Sequence, residues 1–288
     1  MALLSPFEIH AATTVADASE HLDRLADDAV VYAGGTELLL VMKLGFAEYG
    51  HLVDIKTVDG MSALVGRGDH LAIGACVTHR QIERSEVVRR GWPALAEMER
   101  MVANVRVRTA GTLGGNLCFA DPHSDPGTFL LAAEASLLLR KGAATRVVAM
   151  GDFVKGPYET AIEPGELLTE IRAPALPSGA AMSHHKFSVH ERPAATVTCL
   201  VRLDGGHVVE VRLAVGSVGV VPVRARGAEQ ELLGSPDDAA IARAAESAAA
   251  ASGAVEDANG APDYKRQLVR VLVGRAFREA RERAAAKR

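Results

Sequence analysis

The sequence predicts an α+β protein built from two unlike parts, and three observations carry that prediction. The N-terminal stretch runs strand, helix, strand, turn, helix, strand, the order of a small parallel unit. A break rich in proline and glycine, Pro174-Ala175-Leu176-Pro177-Ser178-Gly179, then interrupts the chain. Beyond it two alternating runs surround Asp204-Gly205-Gly206 and two helical stretches follow, which reads as a hairpin sheet covered by helices.

Phe7-Glu8-Ile9-His10 alternates as a short strand. Thr13 to Ala26 spaces Val15, Ala18, Leu22 and Leu25 on one helical face. Ala29 to Ala33 is a continuous apolar run, as in a buried strand, and stops at Gly34-Gly35, where positive φ is free. Thr36 to Lys43 reads as helix and His51 to Ile55 as strand. His70 to Ala75 is a further strand. Thr78 then opens a helix, with Gln81 completing a capping box and Val77 with Ile82 forming a hydrophobic staple. Ala94 to Val102 is helical, and Asn104 to Thr109 is polar and basic. A second glycine-rich loop, Gly111 to Asn116, precedes the loop Asp121 to Pro126, which caps the apolar helix Gly127 to Ala135. Strands are expected at 135–140, 145–148 and 166–171, then at 196–203 and 207–218. Helices over 236–251 and 262–286 close the chain, with a charged last turn, Arg281 to Arg288, that frays.

Composition excludes several classes. With 48% hydrophobic residues against 24% charged, the chain can fill a core, so disorder is not expected. A net charge of -4 and 4% aromatic residues supply neither a basic field nor stacking surfaces, which argues against nucleic-acid binding. Cys76, Cys118 and Cys199 are far apart and form no CxxC, so a zinc knuckle or a cysteine-bound iron–sulfur cluster is not expected in this chain. The stretch Met1 to Pro6 has no basic and apolar pattern of a secretory signal, and no run reaches the ~20 apolar residues of a membrane span. A cytoplasmic location is the expectation.

The chemistry concentrates in the two glycine-rich segments. In Ala33-Gly34-Gly35-Thr36-Glu37, between strand and helix, glycines let backbone N–H groups approach an anion, and Thr36 adds a hydroxyl donor. Thr112, Gly114, Gly115 and Asn116 can do the same for a second part of a diphosphate. Each segment by itself also reads as a plain structural turn, the first more readily than the second. Neither is followed by Lys-Ser or Lys-Thr, and neither reads G-x-G-x-x-G, so Walker and Rossmann sites are not supported.

Taken together, AGGTELLLVMK (Ala33 to Lys43), TAGTLGGNLCFADPHSD (Thr109 to Asp125), GELLTEIRAP (Gly165 to Pro174) and His185-Lys186-Phe187 followed by Arg192 resemble the FAD-binding medium subunit of the xanthine dehydrogenase and carbon monoxide dehydrogenase family. The resemblance spans essentially the whole chain. It implies the α+β fold shared with vanillyl-alcohol oxidase, a two-part FAD-binding domain at 1–55 and 56–175 followed by an α+β domain at 178–288. It implies that Ala33, Gly34, Gly35, Thr36, Glu37 and Leu38 wrap the FAD diphosphate and neighbouring ribityl, and that Thr112, Leu113, Gly114, Gly115 and Asn116 hold its other side. Asp125 would bond the cofactor, Leu168 would pack against the flavin, and Lys186 would lie near the isoalloxazine, where positive charge favours the reduced, anionic form.

The implied partners are a large molybdopterin subunit, where substrate is oxidised, and a small iron–sulfur subunit, arranged as a dimer of heterotrimers. The FAD subunit would collect electrons and deliver them to quinone, cytochrome or O2, in the cytoplasm or peripherally at the inner face of the membrane. Two other readings stand beside this one, a stand-alone flavin oxidoreductase of the same fold and a flavin-free assembly subunit.

Blander readings apply elsewhere. Asp121, His123 and Asp125 form either a metal trio or a capped loop. His184 and His185, adjacent on a strand, point to opposite faces. Cys118 reads as a small buried residue, and Thr196 with Cys199 as packing. Arg106 and Arg108 face either the diphosphate or solvent from a strand edge. No nucleophile elbow is present.

Overall fold

The computed structural model describes residues 4–189 and 191–287; Met1 to Leu3 of the N-terminal stretch and Arg288 of the charged last turn lie outside them. Strand β1 (Glu8–Ala11) leads into helix α1 (Val15–Leu25), whose start is fixed by Thr14, its hydroxyl accepting from the Asp17 N–H. Strand β2 (Ala29–Tyr32), the turn at 33–37, helix α2 (Leu38–Lys43) and strand β3 (His51–Asp54) follow. The strand order is β1-β3-β2 and both pairings are parallel. All three strands therefore end on one edge, and the turn at 33–37 leaves from that edge, where open parallel sheets gather their ligands.

The middle of the chain is built round an antiparallel sheet. Strands β4 (Leu64–Gly66) and β5 (His70–Gly74) precede helices α3 (His79–Arg84), α4 (Glu86–Gly91) and α5 (Pro93–Met101). The Thr78–Gln81 capping box is formed in both directions. Helices α6 (Val105–Ala110), α7 (Leu113–Phe119) and α8 (Asp125–Ala132) come next. Strands β6 (Ser136–Lys141) and β7 (Ala144–Ala149), helix α9 (Met150–Phe153), the small pair β8 (Val154–Gly156) and β9 (Glu159–Thr160), and strand β10 (Leu167–Pro174) complete this part. The order β4-β5-β10-β6-β7 puts β10 in the centre.

Two expectations are corrected here. Residues 104–109 are helical and not a strand edge, because the Asn104 side chain accepts from the Arg106 and Val107 N–H groups and caps α6. The second glycine cluster is not a loop. Thr112 caps it through the Gly115 N–H, and Leu113 to Phe119 wind into α7.

Strands β11 (Ala180–Phe187), β12 (Ala195–Asp204), β13 (His207–Gly216) and β14 (Val223–Arg224) form the last sheet in sequence order, followed by helices α10 (Arg226–Glu231), α11 (Asp238–Ala251) and α12 (Pro262–Ala285). The hairpin β12–β13 turns at Gly205 and Gly206, both at positive φ as a type I′ turn requires. One face of β12 packs on α12, with Val197, Cys199 and Val201 sharing a core with Val269, Val273 and Phe277. Its other face meets α8 through buried hydroxyls: Thr196 Oγ1 lies 2.9 Å from Thr128 Oγ1.

Candidate functional site

A cleft of about 540 Å3 opens where the turn at 33–37 meets the α6–α7 junction. That volume lies within the roughly 300–1,000 Å3 of cofactor and ligand pockets. The two glycine-rich segments, about 80 residues apart, touch directly. A Cβ on Gly34 would fall 2.3 Å from the Ala110 carbonyl oxygen and 2.8 Å from Gly111 Cα, so only glycine lets the backbones meet. Gly35 adopts φ +69°, which turns the chain from β2 towards α2.

The first wall exposes donors. Gly34, Gly35, Thr36 and Glu37 line the cleft, and no group among the described residues accepts from their N–H groups. Unpaired backbone N–H groups are uncommon in folded proteins and here belong to residues that line a cavity, an arrangement that suits an anion. Ala33 and Leu38 flank them in the lining.

The second wall is different. Leu113 N–H donates to the Val77 oxygen at 3.0 Å, Gly114 N–H to the Ala75 oxygen at 3.1 Å and Gly115 N–H to Thr112 Oγ1 at 3.0 Å. Asn116 N–H closes the first helical turn on the Thr112 oxygen. These donors serve the fold. Gly114 is glycine because a Cβ would come 2.6 Å from Ala75 Cβ. Leu113 is fully buried in the core and does not line the cleft. Thr112, Gly114, Gly115 and Asn116 of this wall line the cleft. Asn116 Oδ1 accepts from Ser124 Oγ at 2.7 Å, which orients the amide and leaves its NH2 free of protein acceptors among the described residues.

Leu168 lies on the floor. The register of β10 against β6 slips between Leu168 and Glu170, a bulge of the kind that re-aims side chains beside sites. Leu167 and Leu168 thereby line the cleft with Ile55 and Ala75. Asp125, 3% exposed, begins α8 at the rim of the cleft, but its oxygens are engaged: Lys186 Nζ donates to Oδ2 at 3.0 Å and His184 Nε2 lies 3.3 Å from Oδ1. Lys186 also donates to the Met101 oxygen at 2.5 Å and does not line the cleft. Its ammonium acts behind Asp125.

Charged groups close the mouth. Arg192 reaches Glu37 on the first wall at 2.9 Å and Asp121 beyond the second. Burial pushes the Glu37 carboxyl above the ordinary range, against the pull of Arg192. Cys118 faces the cleft from α7, and burial pushes its thiol up to about 12, so it is no thiolate at neutral pH.

Asp121, His123 and Asp125 do not converge. His123 Nδ1 bonds the Pro193 oxygen at 3.0 Å and its Nε2 faces Asp257 at 3.2 Å, while Asp125 turns to Lys186. Arg108 binds Glu83 and the carbonyls of Val102 and Ala103 and does not itself line the cleft. His184 and His185 do point to opposite faces, to Asp125 and to Glu279 on α12. The sequence reading did not see the Arg192 clasp, the Ser124–Asn116 bond or the wall from Ile162 to Leu167; each joins residues that only the folded chain brings together.

Comparison with known proteins agrees across the chain. Residues 5–176 match the family described as FAD binding domain in molybdopterin dehydrogenase, and residues 186–280 match CO dehydrogenase flavoprotein C-terminal domain. The chain is 33% identical over 282 residues to the carbon monoxide dehydrogenase medium chain of Hydrogenophaga pseudoflava, covering 97% of this chain and 98% of that one. A solved structure of the Hydrogenophaga pseudoflava enzyme superposes with TM-score 0.93 at 33% identity, over 96% of this chain and 98% of that one. Quinoline 2-oxidoreductase from Pseudomonas putida 86 superposes equally well, with TM-score 0.93 at 26% identity, over 98% and 99%.

Proposed function

The chain belongs to the family of FAD-binding medium subunits of molybdenum hydroxylases, and from that premise we propose that the cleft between the two glycine-rich walls holds an extended FAD, with the diphosphate on residues 34–37. The observation that carries this reading is the set of four backbone N–H groups, Gly34 to Glu37, that line the cleft and have no acceptor among the described residues. They match a doubly anionic group in number and in kind.

The chain acts as an oxidoreductase subunit that passes electrons. FAD supplies the redox chemistry, because it accepts two electrons and exchanges them singly. The protein residues bind and orient it. Thr36 and Glu37 meet the diphosphate and ribityl, Gly115 gives close approach on the other side, and the Asn116 NH2 donates across the cleft. Leu168 and its apolar neighbours keep water from the ring. Asp125, held by Lys186 and His184, presents a fixed acceptor edge, so the charge of Lys186 acts on the cofactor through Asp125. Residues 1–55 and 56–175 form the two FAD-binding pieces and 178–288 the cover.

The relatives are components of larger enzymes, and this chain works as the medium subunit of such a complex. We place with it one large molybdopterin subunit and one small iron–sulfur subunit, in a dimer of heterotrimers in the cytoplasm, with quinone, cytochrome or O2 as acceptor. No helix among the described residues is long and apolar enough to cross a membrane. Relatives named for carbon monoxide and for quinoline superpose equally well, which supports the reading that a partner subunit sets the substrate.

Purification at native expression, followed by mass spectrometry and a visible spectrum, tests the proposal. The expected result is FAD recovered with both partner chains, and no substrate oxidation by this chain alone. A yellow solitary protein that oxidises substrate would replace it with a stand-alone flavoenzyme, and a colourless complex with an assembly subunit.

A further inference from the structure

A second cluster of chemistry-bearing side chains sits at the other end of the first sheet. Strands β1 and β3 are parallel neighbours in which Glu8 pairs with His51. Side chains two apart on a strand share a face, and a paired residue on the next strand shares it too. Glu8, His10 and His51 therefore project together. His10 Nε2 lies 3.0 Å from His51 Nδ1, and Glu8 Oε2 lies 4.0 Å from the former and 3.8 Å from the latter.

We propose that Glu8, His10 and His51 form a binding site for a divalent transition metal, with Zn2+ the best fit and water completing the coordination. Ligand atoms 2.0–2.2 Å from a tetrahedral Zn2+ stand roughly 3.3–3.5 Å from one another. The three separations here bracket that figure, so small side-chain rotations, chiefly of the exposed Glu8, bring the set into place. Two imidazoles and one carboxylate suit Zn2+, Ni2+ or Cu2+. Mg2+ and Ca2+ need more oxygen ligands than the cluster offers.

The surroundings favour a ligand role for His51. Its Nδ1 faces the cluster while its Nε2 faces Asp28 Oδ2 at 3.7 Å, and Asp28 is itself fixed by the Gly50 N–H at 2.8 Å. A carboxylate behind a histidine orients the ring and raises its basicity, the usual second layer of a metal site. His21 also packs against His10, with ring centroids 4.7 Å apart. It is not a ligand, because its Nδ1 accepts from Arg24 at 2.8 Å and its Nε2 faces Asp17. The site lies at the start of the parallel strands, roughly 13 Å of strand away from the glycine turn at their ends. Bound metal would tie β1 to β3 and brace the sheet from which that turn projects.

Calorimetric titration of the untagged full-length chain with Zn2+, after chelator treatment, tests this independently of the flavin. The expected result is one ion per chain, at least about 100-fold weaker in His10→Ala and in His51→Ala, and about 10-fold weaker in Asp28→Asn. The visible band of Co2+ bound to the wild-type chain should report a four-coordinate nitrogen and oxygen set. FAD content is expected to stay unchanged in all three variants. Unaltered Zn2+ affinity in the His10→Ala/His51→Ala double variant, or no uptake by the wild type at millimolar Zn2+, would overturn the proposal while leaving the FAD reading intact.

Discussion

The two glycine-rich segments look alike in sequence and differ in what they do. Gly34-Gly35 leaves its neighbouring N–H groups open to the cleft, whereas Gly114-Gly115 sits in the first turn of α7 with its N–H groups bonded to Ala75 and to Thr112. One wall leaves its donors unused and the other spends them on the fold. Backbone hydrogen bonding makes that distinction, since composition alone gives both segments the same score as anion cradles. Function and stability should therefore separate under substitution: changes at the first wall strike the cofactor, and changes behind the second strike the protein.

The largest effect is expected behind the second wall. Asp125→Ala leaves the Lys186 ammonium, 13% exposed, with the Met101 oxygen as its remaining partner. Breaking a buried pair from one side costs about 3–5 kcal/mol. Calorimetry should show Tm lower by roughly 10 °C even in saturating FAD. Full stability together with lost flavin would mean that Asp125 serves the ligand alone and would break the comparison.

Gly34→Ala comes next and should do the reverse. The added Cβ meets backbone at 2.3 Å, which must shift the turn and scatter the N–H groups. FAD affinity, followed by the recovery of flavin fluorescence on release, should fall at least about 100-fold, close to 2.8 kcal/mol at 1.4 kcal/mol per decade. Retained affinity would mean that the diphosphate does not sit on this turn.

The sequence made the first wall legible because its signal is local. A strand, two glycines and a helix start lie within a dozen residues, and the Thr78–Gln81 box and the Asp204-Gly205-Gly206 hairpin are local in the same way. The second wall was misread as a loop because its glycines occupy helical positions for a reason 40 residues away, the backbone of Ala75. Strand β11 carried no period, since Ala180 to Ser183 are buried on both faces. The Arg192 clasp spans 155 residues to Glu37, and no spacing rule reaches that far. What could be read was written by turns and caps; what could not was written by contacts between distant loops.

Gly115→Ala sharpens the comparison from inside the second wall. Its Cβ would meet only Thr112 Oγ1, at 2.8 Å, and would otherwise project towards the cleft. Alanine favours the helix by up to about 1 kcal/mol and the disturbed cap removes a similar amount, so Tm should barely move. FAD affinity should drop about 10-fold, because this wall contributes through the absence of a side chain. A changed Tm with unchanged affinity would make Gly115 as structural as Gly114.

The smallest effect concerns the charge on the first wall. Burial raises the Glu37 carboxyl above its ordinary value, more than Arg192 lowers it. A carboxyl whose pKa is higher folded than unfolded binds more protons in the folded state, so its contribution to stability falls as pH rises from the unfolded value, about 4.3, through the raised one. Above that window the buried charge is a constant penalty. Glu37→Gln removes it and gives up the Arg192 contact, which at a side chain 34% exposed is worth less than about 1 kcal/mol. The variant should match the wild type in acid, gain a few tenths of a kcal/mol on it as pH rises through the window, and stay ahead at neutral pH, as denaturant titrations of the flavin-free chain would show. Flavin affinity should move the other way, because on the proposed reading the carboxylate would accept from ribityl hydroxyls. A wall that is more stable without its charge, and binds less well without it, is shaped by the ligand; a variant less stable at neutral pH would assign Glu37 to the Arg192 clasp and to the fold.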